Sequence, residues 1–272
     1  MSTPPTLPNT LNNYSLQIVL ESLTPASFAS FGSAISPPFV SNLNTPPSTV
    51  PTTRHAPQQP AAVFANQQSA LKTSPISVFE NNYPNAPTAV AKPQMSMFSC
   101  FPRNLSVIGI EKEAGSLEAK AKFKVNILER HPYTTQTFSP LGLPANAEDG
   151  SRAKTFFLVI VAPSLHGTTT TASGSTQITN PPDLNRLRGF IARGDQAVTY
   201  GAGTWHAPMV VLGERRVDFL VTQFVNGIAD DDCQEVLLGE NNHVYVALDG
   251  LGLNFNSSTR EDLRSRHTDS KL

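Results

Sequence analysis

Residues 123–140 read F-K-V-N-I-L-E-R-H-P-Y-T-T-Q-T-F-S-P, and the first half of the stretch alternates. Phe123, Val125, Ile127, Glu129 and His131 share one parity; Lys124, Asn126, Leu128 and Arg130 share the other. Side chains of one parity lie on one face of a β-strand, so the face with three apolar residues is expected to point into a core. That face ends in a carboxylate and an imidazole. Pro132 stops the strand because it has no N–H for the ladder. Gln136 follows five residues after the histidine. A sheet interior that turns polar at its end is the pattern of a barrel mouth, where ligands are held. A solvated strand end is the competing reading of the same residues.

Working outward, residues 156–162 (F-F-L-V-I-V-A) are apolar on both parities, as expected of a strand buried on both faces. Further short strands are expected over 187–191, 197–200, 209–212, 217–224 and 244–248, with Gly194-Asp195 and Gly213-Glu214 as turns. Many short strands punctuated by Gly and Pro predict a mainly β, antiparallel sandwich or barrel. Residues 23–35 read as a short helix: Thr24 can cap it, Pro25 suits its first turn, and Phe28 and Phe31 share a face. Residues 36–93, rich in Pro, Asn, Ser, Thr and Gln, read as a long insertion with little regular structure, meeting the domain near Ile76, Val78 and Phe79. Residues 165–182 read as a flexible loop. The organisation expected is an extension over 1–22, one domain over 23–253, and an exposed tail over 254–272.

The totals narrow the function classes. The chain has 272 residues, 23 of them proline, a net charge of −1 and two cysteines, Cys100 and Cys233. The charge gives no electrostatic case for nucleic acid or an anionic membrane. Two cysteines make no disulfide framework and are expected as reduced thiols. No apolar run is long enough for a helix to span a bilayer. The final Ser270-Lys271-Leu272 matches a peroxisomal address, so an import receptor is an expected partner and the peroxisome the expected location, with the cytoplasm as the alternative.

A second stretch, residues 200–209 (Y-G-A-G-T-W-H-A-P-M), carries a glycine-rich turn to His206. The pair of stretches resembles the two motifs of cupin barrels, H-x-H with a following glutamate, and P-x-G-x-x-H. Glu129-Arg-His131, four spacers and Gln136 lie over the first, with Glu129 in place of histidine and Gln136 in place of glutamate. Gly201-Ala-Gly203-Thr-Trp-His206 lies over the second, with Gly201 where proline is usual. The resemblance narrows to the ureidoglycolate lyase family on several ordered blocks. These are E-R-H-P-Y-T-T-Q-T-F (129–138), L-R-G-F-I (187–191), Y-G-A-G-T-W-H-A-P-M (200–209), D-F-L-V (218–221), L-T-P-A-S-F-A-S-F-G-S-A-I (23–35) and D-D-D-C-Q-E (230–235).

That resemblance implies a cupin-like antiparallel barrel, a homodimer, and cleavage of ureidoglycolate to glyoxylate and urea. It also implies that Glu129, His131, Gln136 and His206 converge as the catalytic set. Such a lyase must deprotonate the hemiaminal hydroxyl, assist departure of the urea nitrogen and hold a carboxylate. Glu129 or His206 is the expected base. His131, Gln136 and His206, with Glu129, are the candidate ligands of one divalent cation, and a metal-free site in which the imidazoles and the amide bind substrate is the alternative. Arg188 is a candidate clamp for the substrate carboxylate, against a surface ion pair. Tyr200 is a candidate hydrogen-bond donor, against packing, and Asp218 a candidate orienting residue, against a strand-start turn. Trp205 is expected to point away from His206 and pack beneath the site. A hydrolase releasing ammonia, and a cupin-like binding protein without catalysis, are the competing functions.

Overall fold

A computed structural model describes residues 3–11, 14–84, 89–103, 105–111, 117–143, 155–248 and 251. The sequence Ser270-Lys271-Leu272 and most of the tail before it lie outside the described residues. The first elements are β1 (Ser15–Ile18), β2 (Leu20–Ser22), a single helical turn α1 (Pro25–Phe28) and β3 (Gly32–Ile35). The Pro-rich segment contributes a hairpin, β4 (Ala62–Ala65) and β5 (Ala70–Thr73), and leads into β6 (Lys92–Cys100). Then come β7 (Ser106–Glu111), β8 (Leu117–Val125), β9 (Ile127–Arg130), β10 (Gln136–Leu141) and β11 (Phe156–Ala162). A ribbon of β12 (Thr168–Thr170) and β13 (Gln177–Thr179) precedes β14 (Arg188–Ala192), β15 (Ala197–Tyr200), β16 (Trp205–His206) and β17 (Val210–Leu212). The last described elements are β18 (Val217–Val225), the turn α2 (Ala229–Asp232), β19 (Gln234–Leu237) and β20 (His243–Ala247).

These strands make three stacked layers. The central sheet runs β19-β9-β16-β11-β14-β2, with β17 also on β11. Every residue of β11 is buried, as its unbroken apolar run predicts. Its odd residues Phe157, Val159 and Val161 share a core with Phe138, Val198, Phe219 and Val221 of the five-stranded sheet β3-β15-β10-β18-β6. Its even residues Leu158, Ile160 and Ala162 share a second core with Ile18, Val125, Val244 and Val246 of the four-stranded sheet β1-β20-β8-β7. Edge-to-face aromatic pairs knit the first core, Phe28 to Phe190 at 5.3 Å and Phe157 to Phe219 at 5.1 Å between ring centroids. Such pairs add about 1 kcal/mol each beyond the area they bury. The mainly β, antiparallel architecture is as expected, but the described sheets face one another as a sandwich without closing into a barrel.

Four expectations are corrected. The strand read over 123–130 breaks at exposed Asn126, so that β8 belongs to the outer sheet and β9 to the central one. The break inverts the parity: Leu128 and Arg130 turn into the second core, while Ile127 and Glu129 take the opposite face. The helix over 23–35 is only one turn. Thr24 does cap it, its hydroxyl accepting from the Ser27 amide at 3.0 Å, but Gly32–Ile35 pairs with β15 as a strand. The segment 1–22 is no detached extension, since β1 and β2 join two sheets and Leu7 and Leu11 lie in a core. Residues 165–182 carry the β12–β13 ribbon instead of an unstructured loop.

The insertion over 36–93 is mostly irregular apart from its hairpin. Residues 79–83 contact the domain: the half-exposed Phe79 ring lies 4.7 Å from that of Phe224, the Glu80 amide donates to the Thr135 hydroxyl at 3.0 Å and the Asn82 amide to the Tyr133 carbonyl at 2.7 Å, while Ile76 and Val78 stay exposed. No helix among the described residues is long and apolar enough to cross a membrane.

Gly32 lies tightly against a neighbouring strand. Its φ is +141°, and a Cβ there would sit 2.0 Å from the Thr199 carbonyl oxygen. Gly32→Ala is therefore expected to lower stability by more than about 2 kcal/mol, read as a shift in the urea midpoint with an unchanged slope.

Candidate active site

The site is built on one row of paired residues across the inner face of the central sheet. Glu129 on β9 pairs with His206 on β16, His206 pairs with Val161 on β11, and Val161 pairs with Arg188 on β14. The opposite wall comes from the five-stranded sheet, where Gln136 pairs with Tyr200 on one side and Gln223 on the other. The Tyr200 ring lies flat on the His206 imidazole, 3.9 Å between centroids and 10° between planes. The His131 and His206 rings are 5.5 Å apart. Glu129 Oε1 is 3.5 Å from His206 Nε2, and the His206 side chain is 2% exposed against 20% for Glu129.

Local backbone geometry fixes these groups. The turn after Tyr200 is gripped by the Phe31 carbonyl, which accepts from the Gly201 amide at 2.8 Å and from the Thr204 hydroxyl at 3.2 Å. The Gly203 amide then donates to the His131 carbonyl at 2.8 Å, which joins the two motifs directly. His131 Nδ1 is 2.6 Å from the Asp232 carbonyl oxygen, and His206 Nδ1 is 3.0 Å from that of Thr204. A carbonyl cannot donate, so each Nδ1 carries a proton and Nε2 is the ring atom left facing the other groups of the site.

Electrostatics follow from burial and crowding. Burial pushes the Glu129 carboxyl up, but the electrostatic pull of His206 at 3.5 Å, then of His131 and Arg103, outweighs it and holds the group ionised, below the ordinary carboxylate value. Burial, and then the neighbouring His206 charge, push His131 below the ordinary histidine value, which keeps the ring neutral at neutral pH. His131 Nε2, His206 Nε2 and Gln136 Oε1 are buried without a hydrogen-bond partner among the described residues. The ligand atoms of Glu129, His131 and His206 lie within 4.8 Å of one another. A carboxylate oxygen, two imidazole nitrogens and an amide oxygen form a donor set that fits a divalent cation.

Behind the site, Arg130 is buried with no carboxylate partner among the described residues. Its guanidinium donates to Gln234 Oε1 at 2.7 and 2.9 Å, to the Asn180 carbonyl at 2.9 Å and to the Thr179 carbonyl at 2.8 Å. It also lies 4.6 Å over the Trp205 ring, whose Nε1 donates to the same Asn180 carbonyl. Trp205 thus packs on the far side of the strand from His206, as expected. The insertion takes part as well: the Tyr83 hydroxyl donates to Asp232 Oδ1 at 2.7 Å, beneath the carbonyl that orients His131.

Glu129, His131, Gln136, His206 and Tyr200 come together here. Arg188 faces the same side but forms a two-point ion pair with Glu21, its Nε 2.7 Å from Oε1. Asp218 is a correction. It sits at the opposite end of β18, five residues and roughly 17 Å from Gln223, where it accepts from Ser99 and Arg216. Gln223, whose Oε1 accepts from Gln136 Nε2, was signalled by its parity with Val217, Phe219 and Val221. Asp232 and Tyr83 carry no comparable signal, because their roles arise from contacts far apart in the chain.

Both cysteines are free thiols. Burial, then the Glu129, Glu235 and Asp232 charges, push the Cys233 thiol up to about 12. At pH 8 the thiolate fraction is then about 10⁻⁴, so iodoacetamide is expected to leave Cys233 unlabelled in the folded protein and to label it in urea. Mass spectrometry of the modified peptide reads the difference.

A profile of the family described as ureidoglycolate lyase matches residues 15–245. A ureidoglycolate lyase of Saccharomyces cerevisiae is 35% identical over 206 residues, covering 75% of this chain and 84% of the relative. One of Schizosaccharomyces pombe is 33% identical over 172 residues, 63% of this chain and 75% of the relative. A bacterial ureidoglycolate lyase, from Rhizobium leguminosarum, is 36% identical over 100 residues, 36% of this chain and 43% of the relative. With the matched span enclosing every residue of the site, the chain belongs to the ureidoglycolate lyase family.

Proposed function

We propose that the protein cleaves ureidoglycolate to glyoxylate and urea. The observation that carries the reading is the convergence of an ionised Glu129 with two Nε2 positions and the Gln136 amide, inside a chain of this family. The substrate carbon bears a hydroxyl, a carboxylate and a urea nitrogen. Glu129, kept as the carboxylate, accepts the hydroxyl proton; the oxygen closes to the aldehyde as the carbon–nitrogen bond breaks. The urea nitrogen takes up a proton, and the His206–Glu129 pair, 3.5 Å apart, is placed to return the one removed. Proton loss and gain balance, so no water is consumed and no nucleophilic serine or cysteine is needed. His131 Nε2 and Gln136 Oε1 accept hydrogen bonds from the substrate or join Glu129 and His206 in holding a cation. A divalent ion held there would polarise the hydroxyl oxygen and lower its pKa.

Urea and glyoxylate release from racemic ureidoglycolate tests the reading. Urea is the expected product, abolished by chelation and restored by one added divalent ion. Ammonia in place of urea would assign the hydrolase, and binding without turnover the non-catalytic alternative. Urea release indifferent to chelation would leave the proton work to Glu129 and the imidazoles alone. His131→Ala and His206→Ala are each expected to lower kcat/KM by at least about 10²-fold.

We also propose a homodimer through the edge of the five-stranded sheet. In support, β6 pairs along its length with β18 and ends the sheet, and Met95, Met97 and Phe98 on it are 74%, 54% and 46% exposed. A long edge strand with exposed apolar side chains is a liability unless it is covered. Sedimentation is expected to give twice the chain mass, and Met97→Lys to shift the species towards monomer.

A further inference from the structure

The geometry points to Arg103 as the anchor of the substrate carboxylate, reached through a pocket on the flank of the site. This rests on the lyase reading above. A substrate carboxylate that enters beside ionised Glu129 meets like-charge repulsion, so the site needs a cation whose charge is not already matched.

Two arginines stand near. Arg188 shares the inner face with His206, but both Nε and Nη2 are engaged by Glu21, and the two charges cancel. Arg103 differs. It follows β6, and its backbone is tied down: the Arg103 amide donates to the Val211 carbonyl at 2.9 Å. Its side chain makes one hydrogen bond, Nη2 to the Met209 carbonyl at 3.3 Å, and has no carboxylate at ion-pair distance among the described residues. Nη2 has a second proton, so whichever one bonds Met209 a parallel donor pair suited to a carboxylate is left, Nη2 with Nε or Nη2 with Nη1.

The surroundings place that fork beside the chemistry. Arg103 lines a pocket of about 740 Å³ together with Ile127, Ala207 and Pro208. Ile127 lies two residues before Glu129 on the same strand face, and Ala207 and Pro208 directly follow His206. The pocket is thus bordered by chain neighbours of both members of the proton-transferring pair, on the flank of the site. The Arg103 charge also acts on the Glu129 carboxylate. Lys124 shares the lining and gives the approach a second positive charge, which favours entry of an anion. Asn126, where β8 and β9 part, also lines the pocket. Glyoxylate keeps the same carboxylate as the substrate, so the site should hold the product too.

Arg103→Met, Arg103→Lys and Arg188→Met, each checked for unchanged thermal unfolding, separate the two arginines. Urea release gives kcat and KM, and glyoxylate serves as the probe, by product inhibition and by calorimetry. Arg103→Met is expected to raise KM and the glyoxylate Ki by about 10²-fold, with a smaller change in kcat. Arg103→Lys is expected to recover part of the loss, and added guanidinium ion to rescue Arg103→Met. Arg188→Met is expected to stay within about threefold of the wild type. An Arg103→Met enzyme with wild-type KM and Ki would overturn the assignment, as would a loss confined to Arg188→Met. Should the wild type release no urea, the lyase reading fails by itself. Calorimetry then still decides for Arg103: glyoxylate binding weakened by Arg103→Met supports the anchor, and binding that is absent or unchanged overturns it.

Discussion

The site depends on two hydrogen bonds that never touch a substrate, those from Nδ1 of His131 and His206 to backbone carbonyls. They decide which nitrogen of each ring faces the other groups, and they do so with atoms that have no alternative role. The Thr204 carbonyl belongs to a turn held at both ends, by Phe31 and by His131 itself. The Asp232 carbonyl belongs to a turn whose side-chain carboxylate accepts from the Asn226 and Gly227 amides and from Tyr83. Ring orientation is thus set during folding, before any ligand arrives, as a preorganised site requires.

A central sheet buried on both faces makes this arrangement stiff. Glu129 and His206 project to one side, while their chain neighbours Arg130 and Trp205 project to the other and meet at the Asn180 carbonyl. A guanidinium buried without a counter-ion is costly unless its donors are satisfied. Arg130 meets that condition with neutral oxygens from β19, from the last residue of β13 and from the residue after it. The clamp holds the strand from behind and leaves the Glu129 charge to the front, since among the described residues Arg130 makes no salt bridge that would draw it away.

Much of the architecture could be read from the chain, and the failures have identifiable causes. Residues 156–162 declare a doubly buried strand because no polar residue interrupts them. The alternation over 123–131 places Glu129 and His131 near a core, yet a period of two cannot register a break, and Asn126 flips the faces. Phe28 and Phe31, three apart, fit a helix as well as a turn followed by a strand; the pairing of Gly32–Ile35 with β15 decides for the latter. Asp218 could be assigned to the start of a strand, but whether that end lies near the site depends on which way β18 runs. Tyr83, Arg103 and Asp232 reach the site through contacts distant in sequence, where local pattern says nothing.

The insertion illustrates a different kind of freedom. It is pinned to the body near its end, at Phe79 and Tyr83, while the β4–β5 hairpin turns over at Asn66, Gln67 and Gln68. Lengthening a surface loop adds closure entropy only logarithmically, and exposed tips tolerate added sequence. That turn is accordingly a place to splice in a fluorescent reporter.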